Sequence, residues 1–258
     1  QTPEEQPVVE LRNEAIIENA VFGIFAGDRN NPGVYGGGII CAEGANFKDC
    51  DNGIVMHEYR NYSPQNPNIE INNRSYIQKC TFQTTNNFDY LKQRSTAIWL
   101  WGVKGVQILG NTFTSYKKYH GNGIVLEGTK STIIATALGE NFGDKISNIF
   151  NNLESAIYIL SSANTTIEEN SFQNNHIAIT NDGNCSGTII NNTILNPAYC
   201  GIFAFSGNNF KIMQNNIRGN NSGIGIIANR TGLQEIYKNN LSKLETGIYA
   251  SENPLLKL

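Results

Sequence analysis

The stretch NIFNNLESAIYILSSANTTIEENSF, residues 148–172, decides the fold. It opens and closes on the same motif, Asn-x-apolar, as Asn148–Phe150 and Asn170–Phe172, with the run Ala156-Ile157-x-Ile159 between them. Outward from it, the motif recurs at Asn19–Val21, Asn111–Phe113, Asn192–Ile194, Asn215–Ile217 and Asn239–Leu241. Degenerate copies, Ala45–Phe47 and Cys80–Phe82, fill the gap. From Asn148 the steps are 22, 22, 23 and 24 residues, whereas earlier steps stretch to between 26 and 37 and imply loop insertions.

The run between the motifs also repeats: a small residue, Ile, any residue, then an apolar one. Counting the Ile as zero, the copies are Ile54, Ile98, Ile124, Ile157, Ile202, Ile224 and Ile248, with Ile177 as a variant after His176. Position +2 then reads Met56, Leu100, Leu126, Ile159, Ile179, Ala204, Ile226 and Ala250, all apolar. Alternation with period two is the mark of a strand, so zero and +2 face inward and +1 and +3 outward.

A repeat of about 22 residues is too short to bury its own apolar face. Repeats stacked strand on strand at about 4.8 Å share one core, and nine levels make a column roughly 43 Å long. The composition agrees. The chain of 258 residues holds 38 Asn and 32 Ile, and Ile favours strands while Asn favours tight turns. The expectation is an all-β chain: one right-handed, single-stranded parallel β-helix of about nine to ten coils with an internal Asn ladder. Residues 1–258 form one domain, with 1–14 a lead-in or cap, 15–147 coils with long insertions, 148–250 regular coils, and 251–258 the start of a further coil.

With these repeats the chain resembles the parallel β-helix repeat family, which includes pectate lyases, polygalacturonases, alginate-modifying enzymes and phage tailspikes. The resemblance runs from about Ala15 to Ala250. Segments such as Ile16-Ile17-Glu18-Asn19 and Tyr76-Ile77-Gln78-Lys79-Cys80-Thr81-Phe82 also look like very large secreted or surface β-helix proteins of Bacteroidetes-type bacteria. The resemblance implies an extracellular or cell-surface location. The opening QTPEEQ, with no initiator Met, reads as a processed or excised piece of something longer.

Composition narrows the partners. A net charge of −3 without a basic stripe argues against nucleic acid, and no apolar run approaches the roughly 20 residues that span a bilayer. Cys41, Cys50, Cys80, Cys185 and Cys200 match no zinc pattern and read as small buried apolar residues.

Enzymes that the family resemblance brings in place their catalytic groups on outward positions of one strand stack. Here position +3 offers only His57 and Glu127 as titratable groups. Together with Glu58, Arg60 and His120 of the insertions they are the candidate acid–base residues. The hydrolase signatures that the resemblance would bring, a Gly-His-Gly turn and an Arg-Ile-Lys run, are missing, as is the Asp-Pro-His-Asp run of alginate epimerases. The outward rows are instead aromatic: Trp99, Trp101, Tyr158, Phe203, Phe205 and Tyr249. Such a strip suits the faces of sugar rings, unless the insertions cover it. Asp182 and Arg230 read as turn residues. The favoured expectation is a structural or adhesive segment that holds a polysaccharide on its aromatic face and joins further coils of a parent protein. The alternative is a polysaccharide lyase or glycoside hydrolase. No metal or cofactor is implied, except Ca²⁺ under the lyase alternative.

Overall fold

The computed structural model describes residues 7–27, 37–58, 61–63, 65–89, 94–141, 143–206, 209–230, 234–252 and 256–257. Three parallel sheets run the length of the molecule, with ten, nine and nine strands, and each turn of chain contributes one strand to each sheet. This is the right-handed β-helix expected from the repeat. Val8–Leu11, within the stretch read as a lead-in, already pairs with Ile39–Glu43 in the first sheet. Leu256–Lys257 extends that sheet at the other end. Two short antiparallel hairpins, Asn61–Ser63 with Asn66–Ile71 and Ala137–Leu138 with Lys145–Ile146, form within the insertions.

The motif Asn-x-apolar belongs to the corner between the first and second sheets. Asn111, Asn148, Asn170, Asn192, Asn215 and Asn239 stand one above another. Each side-chain carbonyl accepts from the Asn below, as in Asn148 Nδ2 to Asn170 Oδ1 at 2.8 Å and Asn170 Nδ2 to Asn192 Oδ1 at 3.0 Å. Backbone amides join the same acceptors, for example Asn170 N to Asn192 Oδ1 at 3.0 Å. The ladder starts where Cys80 N donates to Asn111 Oδ1.

One copy of the motif is corrected. Ile17, not Val21, pairs with Phe47, so the first level is Ala15–Ile17. Asn19 lies one corner later, exposed, with φ of 56°. Asp49, Asn152, Asn174, Asn196 and Lys243 occupy that same corner with similar φ. Asn thus serves in two ways: as a ladder amide in the core, and as a residue tolerant of left-handed backbone at the corner.

The core is built of columns. Phe47, Phe82, Phe113, Phe150 and Phe172 stack face to face in the second sheet, with centroids 4.6 to 5.1 Å apart. Ile194 and Ile217 continue the column. In the third sheet the inward column is Ile24, Ile54, Ile98, Ile124, Ile157, Ile179, Ile202, Ile226 and Ile248. The small residue before each Ile has a steric cause. A Cβ added at Gly123 would stand 2.5 Å from the Ala156 carbonyl oxygen of the next level.

That column corrects the register at two levels. Ile179 and Ile226, not Ile177 and Ile224, pair with the zero positions of their neighbours. Gly223-Ile224-Gly225-Ile226-Ile227-Ala228 fits the motif twice, Ile177 and Ile179 each fit it in part, and a slip of two residues preserves the in–out alternation. Asn181 then falls at an inward +2 position and is fully buried, the one polar residue in an otherwise apolar row.

All five cysteines are free thiols, and four are buried. Burial pushes the Cys80 thiol up to about 11 and the Cys200 thiol up to about 12. They behave as small apolar core residues.

Candidate functional site

The outer face of the third sheet carries both candidate sets, but strand geometry keeps them apart. At the N-terminal end, His57 lies under a group of rings. Its imidazole centroid is 4.8 Å from Phe25, 5.4 Å from Trp101 and 6.5 Å from Trp99, all edge-on. His57 is 9% exposed, and among the described residues its Nδ1 has no hydrogen-bond partner. Glu58 packs against Gly102, the residue that follows Trp101. Arg60 lies outside the described residues. Glu127 shares the outward row with His57, but two levels away with Trp101 between them. His120 lies just before the strand Asn122–Glu127, at the opposite edge of the sheet from Glu127, and the five steps of that strand alone span about 17 Å. His57, His120 and Glu127 therefore do not converge.

Burial lowers the His57 pKa. In the unfolded chain the imidazole takes up its proton near 6.5, before the folded one does. Stability therefore falls as pH drops through 6.5 and levels off below the folded value. A urea titration at pH 7.5 and at pH 5 will show a larger acid loss for wild type than for His57→Gln. Equal losses would show that His57 is not desolvated in the folded protein.

Further along the same face lies an open groove of ≈ 550 Å³. Tyr158, Thr180 and Phe203, from three successive strands, occupy outward +1 positions and line it. The corrected register puts Asp182 on this face at +3, inside the strand Ile177–Asp182, rather than in a turn. The Tyr158 hydroxyl donates to Asp182 Oδ2 at 3.2 Å. Burial first, and then the Asp182 carboxylate, raise the Tyr158 pKa, so the phenol stays protonated and holds this bond. Phe205 stacks beside Phe203 at 6.2 Å.

The opposite edge of the groove is formed by Arg94, Glu154 and His176. Arg94 is 3.7 Å from the Glu154 carboxylate. His176 stacks on Tyr199 at 5.6 Å and leans on Tyr119 at 6.0 Å, giving a ring row along that edge. Of the aromatics expected on this face, Trp99, Trp101, Tyr158, Phe203 and Phe205 are all half-buried and Tyr249 is exposed.

Thr180, Asp182, His176, Arg94 and Glu154 escaped the sequence reading. For Asp182 a signal existed: Ile157 lies nine residues after its ladder Asn148, and nine after Asn170 is Ile179. That count points to Ile179 and so keeps Asp182 at +3 within the strand, but it is not general, since nine after Asn215 is Ile224 rather than the paired Ile226. Nothing in the linear sequence brings Arg94, from the insertion before the third level, to Glu154.

Among the described residues no group of three or more His, Cys, Asp or Glu is placed to hold a metal ion, and no helix is long and apolar enough to cross a membrane.

Comparison with known proteins supports the fold. Residues 96–254 match the family described as right handed beta helix region, more than half of the chain, and the protein belongs to that family. Among solved structures it is similar to a mutant of the periplasmic alginate epimerase AlgG, at 16% identity and a TM-score of 0.43, covering 97% of this chain and 64% of that one. It is also similar to the A-module of the mannuronan C-5 epimerase AlgE4 of Azotobacter vinelandii, at 10% identity and a TM-score of 0.32, covering 95% of this chain and 80% of that one. With TM-scores below 0.5, neither likeness carries an argument about this protein, and the fold rests on the family match and the structure itself. No curated protein matches the sequence.

Proposed function

We propose that this β-helix is a glycan-binding segment of a larger secreted or surface protein, and that the groove over Tyr158, Thr180 and Phe203 is where the chain lies. The observation that carries the reading is the make-up of the groove: two aromatic side chains on its floor, with hydroxyl, amide and carboxylate groups of Tyr158, Ser155, Asn122 and Asp182 around them. Sugar rings present the matching pattern, an apolar C–H face and a rim of hydroxyls. Catalysis fits less well. The groove's own carboxylates, Glu154 and Asp182, stand six positions apart across the sheet and one level apart, about 20 Å on strand spacing, well beyond the 6.5–9.5 Å or so of a hydrolase pair. Glu127 is nearer to Asp182, about 10 Å along the outward row, but it does not line the groove and Leu160 stands between them.

The test is titration calorimetry against a panel of plant, algal and bacterial polysaccharides, with product analysis of each mixture. Binding without cleavage, weakened at least about tenfold in Tyr158→Ala/Phe203→Ala, is the expected result. Shortened chains or new unsaturated ends would replace this reading with the enzymatic one. Unchanged affinity in the double variant would move the site elsewhere, first to Trp99 and Trp101.

A further inference from the structure

We propose that the groove takes electrically neutral glycan chains and rejects polyuronates. The inference rests on the glycan-binding reading above and adds the class of ligand.

The fixed charge along this face is unbalanced. Glu154 and Asp182 line the groove, and Glu127 stands on the same outward row as Asp182, two levels away, about 10 Å on the spacing of stacked strands. The one cationic side chain lining the groove among the described residues is Arg94, and it already faces Glu154 at 3.7 Å. Lys117 and Lys118 are exposed on the loop leading to Tyr119, but neither lines the groove. Among the described residues, a chain with one carboxylate per sugar would therefore meet Asp182 with no guanidinium or ammonium lining the groove to pair with it. Like charges brought together in a half-buried cleft repel more strongly than in bulk water.

The same groups suit a neutral chain. A carboxylate only accepts hydrogen bonds, and sugar hydroxyls are donors. Asp182 spends one oxygen on the Tyr158 hydroxyl, and that bond fixes its orientation, while its other oxygen has lone pairs for a ligand hydroxyl. Thr180, Ser155 and Asn122 add neutral donors and acceptors along the floor. The recognition chemistry is that of hydroxyls and ring faces, without salt bridges.

The test uses matched hexasaccharides of gluco, manno and galacto configuration, each as the neutral sugar and as its uronate, titrated with chelator present at low and at high salt. The neutral member of at least one pair should bind about tenfold tighter or more at low salt, with the gap narrowing as salt screens the repulsion. Asp182→Asn keeps an acceptor for Tyr158 and removes the charge, so it should narrow the gap by raising uronate affinity. Uronates binding as tightly as their neutral partners at low salt would overturn the inference and leave the glycan reading standing. If no member of any pair binds at either salt, the glycan reading falls and this inference falls with it.

Discussion

Asn192→Leu is expected to destabilise the protein by about 3–5 kcal/mol, although Leu nearly matches Asn in size and is the more apolar residue. In the ladder, Asn192 Oδ1 accepts from both the backbone amide and the side-chain Nδ2 of Asn170, each at 3.0 Å. Its Nδ2 donates to the carbonyls of Ile167 and Ile190 and to Asn215 Oδ1. The residue is 1% exposed, so water cannot replace these partners. Leu would leave the Asn170 N–H without an acceptor, and each orphaned buried group costs about 1–3 kcal/mol. Asn19→Ala is the control, because Asn19 fits the same three-residue motif yet sits exposed at a left-handed corner. Its replacement should cost less than about 1.5 kcal/mol. Urea unfolding followed by circular dichroism measures both, and equal losses would remove the ladder as a source of stability. In a solenoid each coil contacts only its neighbours, so the Asn192 variant should also unfold in a broader transition.

The contrast between Asn192 and Asn19 shows what the sequence could and could not convey. A period of 22 to 24 residues with in–out alternation leaves few architectures, so the stack and most of its core columns were readable. The motif could not tell a ladder amide from a corner residue, because both roles select Asn for different physical reasons. Register was ambiguous where Ile recurred at spacing two with a small residue between, as at Ile177-Ala178-Ile179 and Ile224-Gly225-Ile226, and the inward Asn181 hid the correct alignment at one level. The candidate site was legible only in part. Tyr158, Phe203 and Phe205 lie on strands of unambiguous register and were placed on the right face. Asp182 depended on the slipped strand. Arg94 and His176 reach the groove by way of an insertion and a corner, where no periodicity applies. The dispersal of His57, His120 and Glu127 likewise follows from where each falls along its strand, which only the stacked register fixes.

The second large effect concerns the phenylalanine column. Phe150 lies between Phe113 and Phe172, with ring centroids 4.6 and 4.8 Å away and interplanar angles of 6° and 8°. It is fully buried, and its ring edge rests on the backbone at Gly123, where an added Cβ would come within 3.0 Å of it. Phe150→Ala removes a whole ring from a stack whose neighbours are held in place by two ladders of backbone hydrogen bonds. The void cannot close by collapse, since the strand spacing is fixed by the sheet, so the cost should reach the upper part of the usual range, about 3–5 kcal/mol. Phe150→Leu should cost less, about 1–2 kcal/mol, because the column itself changes to Ile194 and Ile217 a few levels on and tolerates aliphatic side chains there. Small ligands add a second readout. An apolar cavity between two parallel rings should bind benzene, raising the melting temperature of Phe150→Ala and leaving wild type unchanged. A loss below about 1 kcal/mol for Phe150→Ala would mean that the rings above and below close the gap, and that the stack is looser than its spacing indicates.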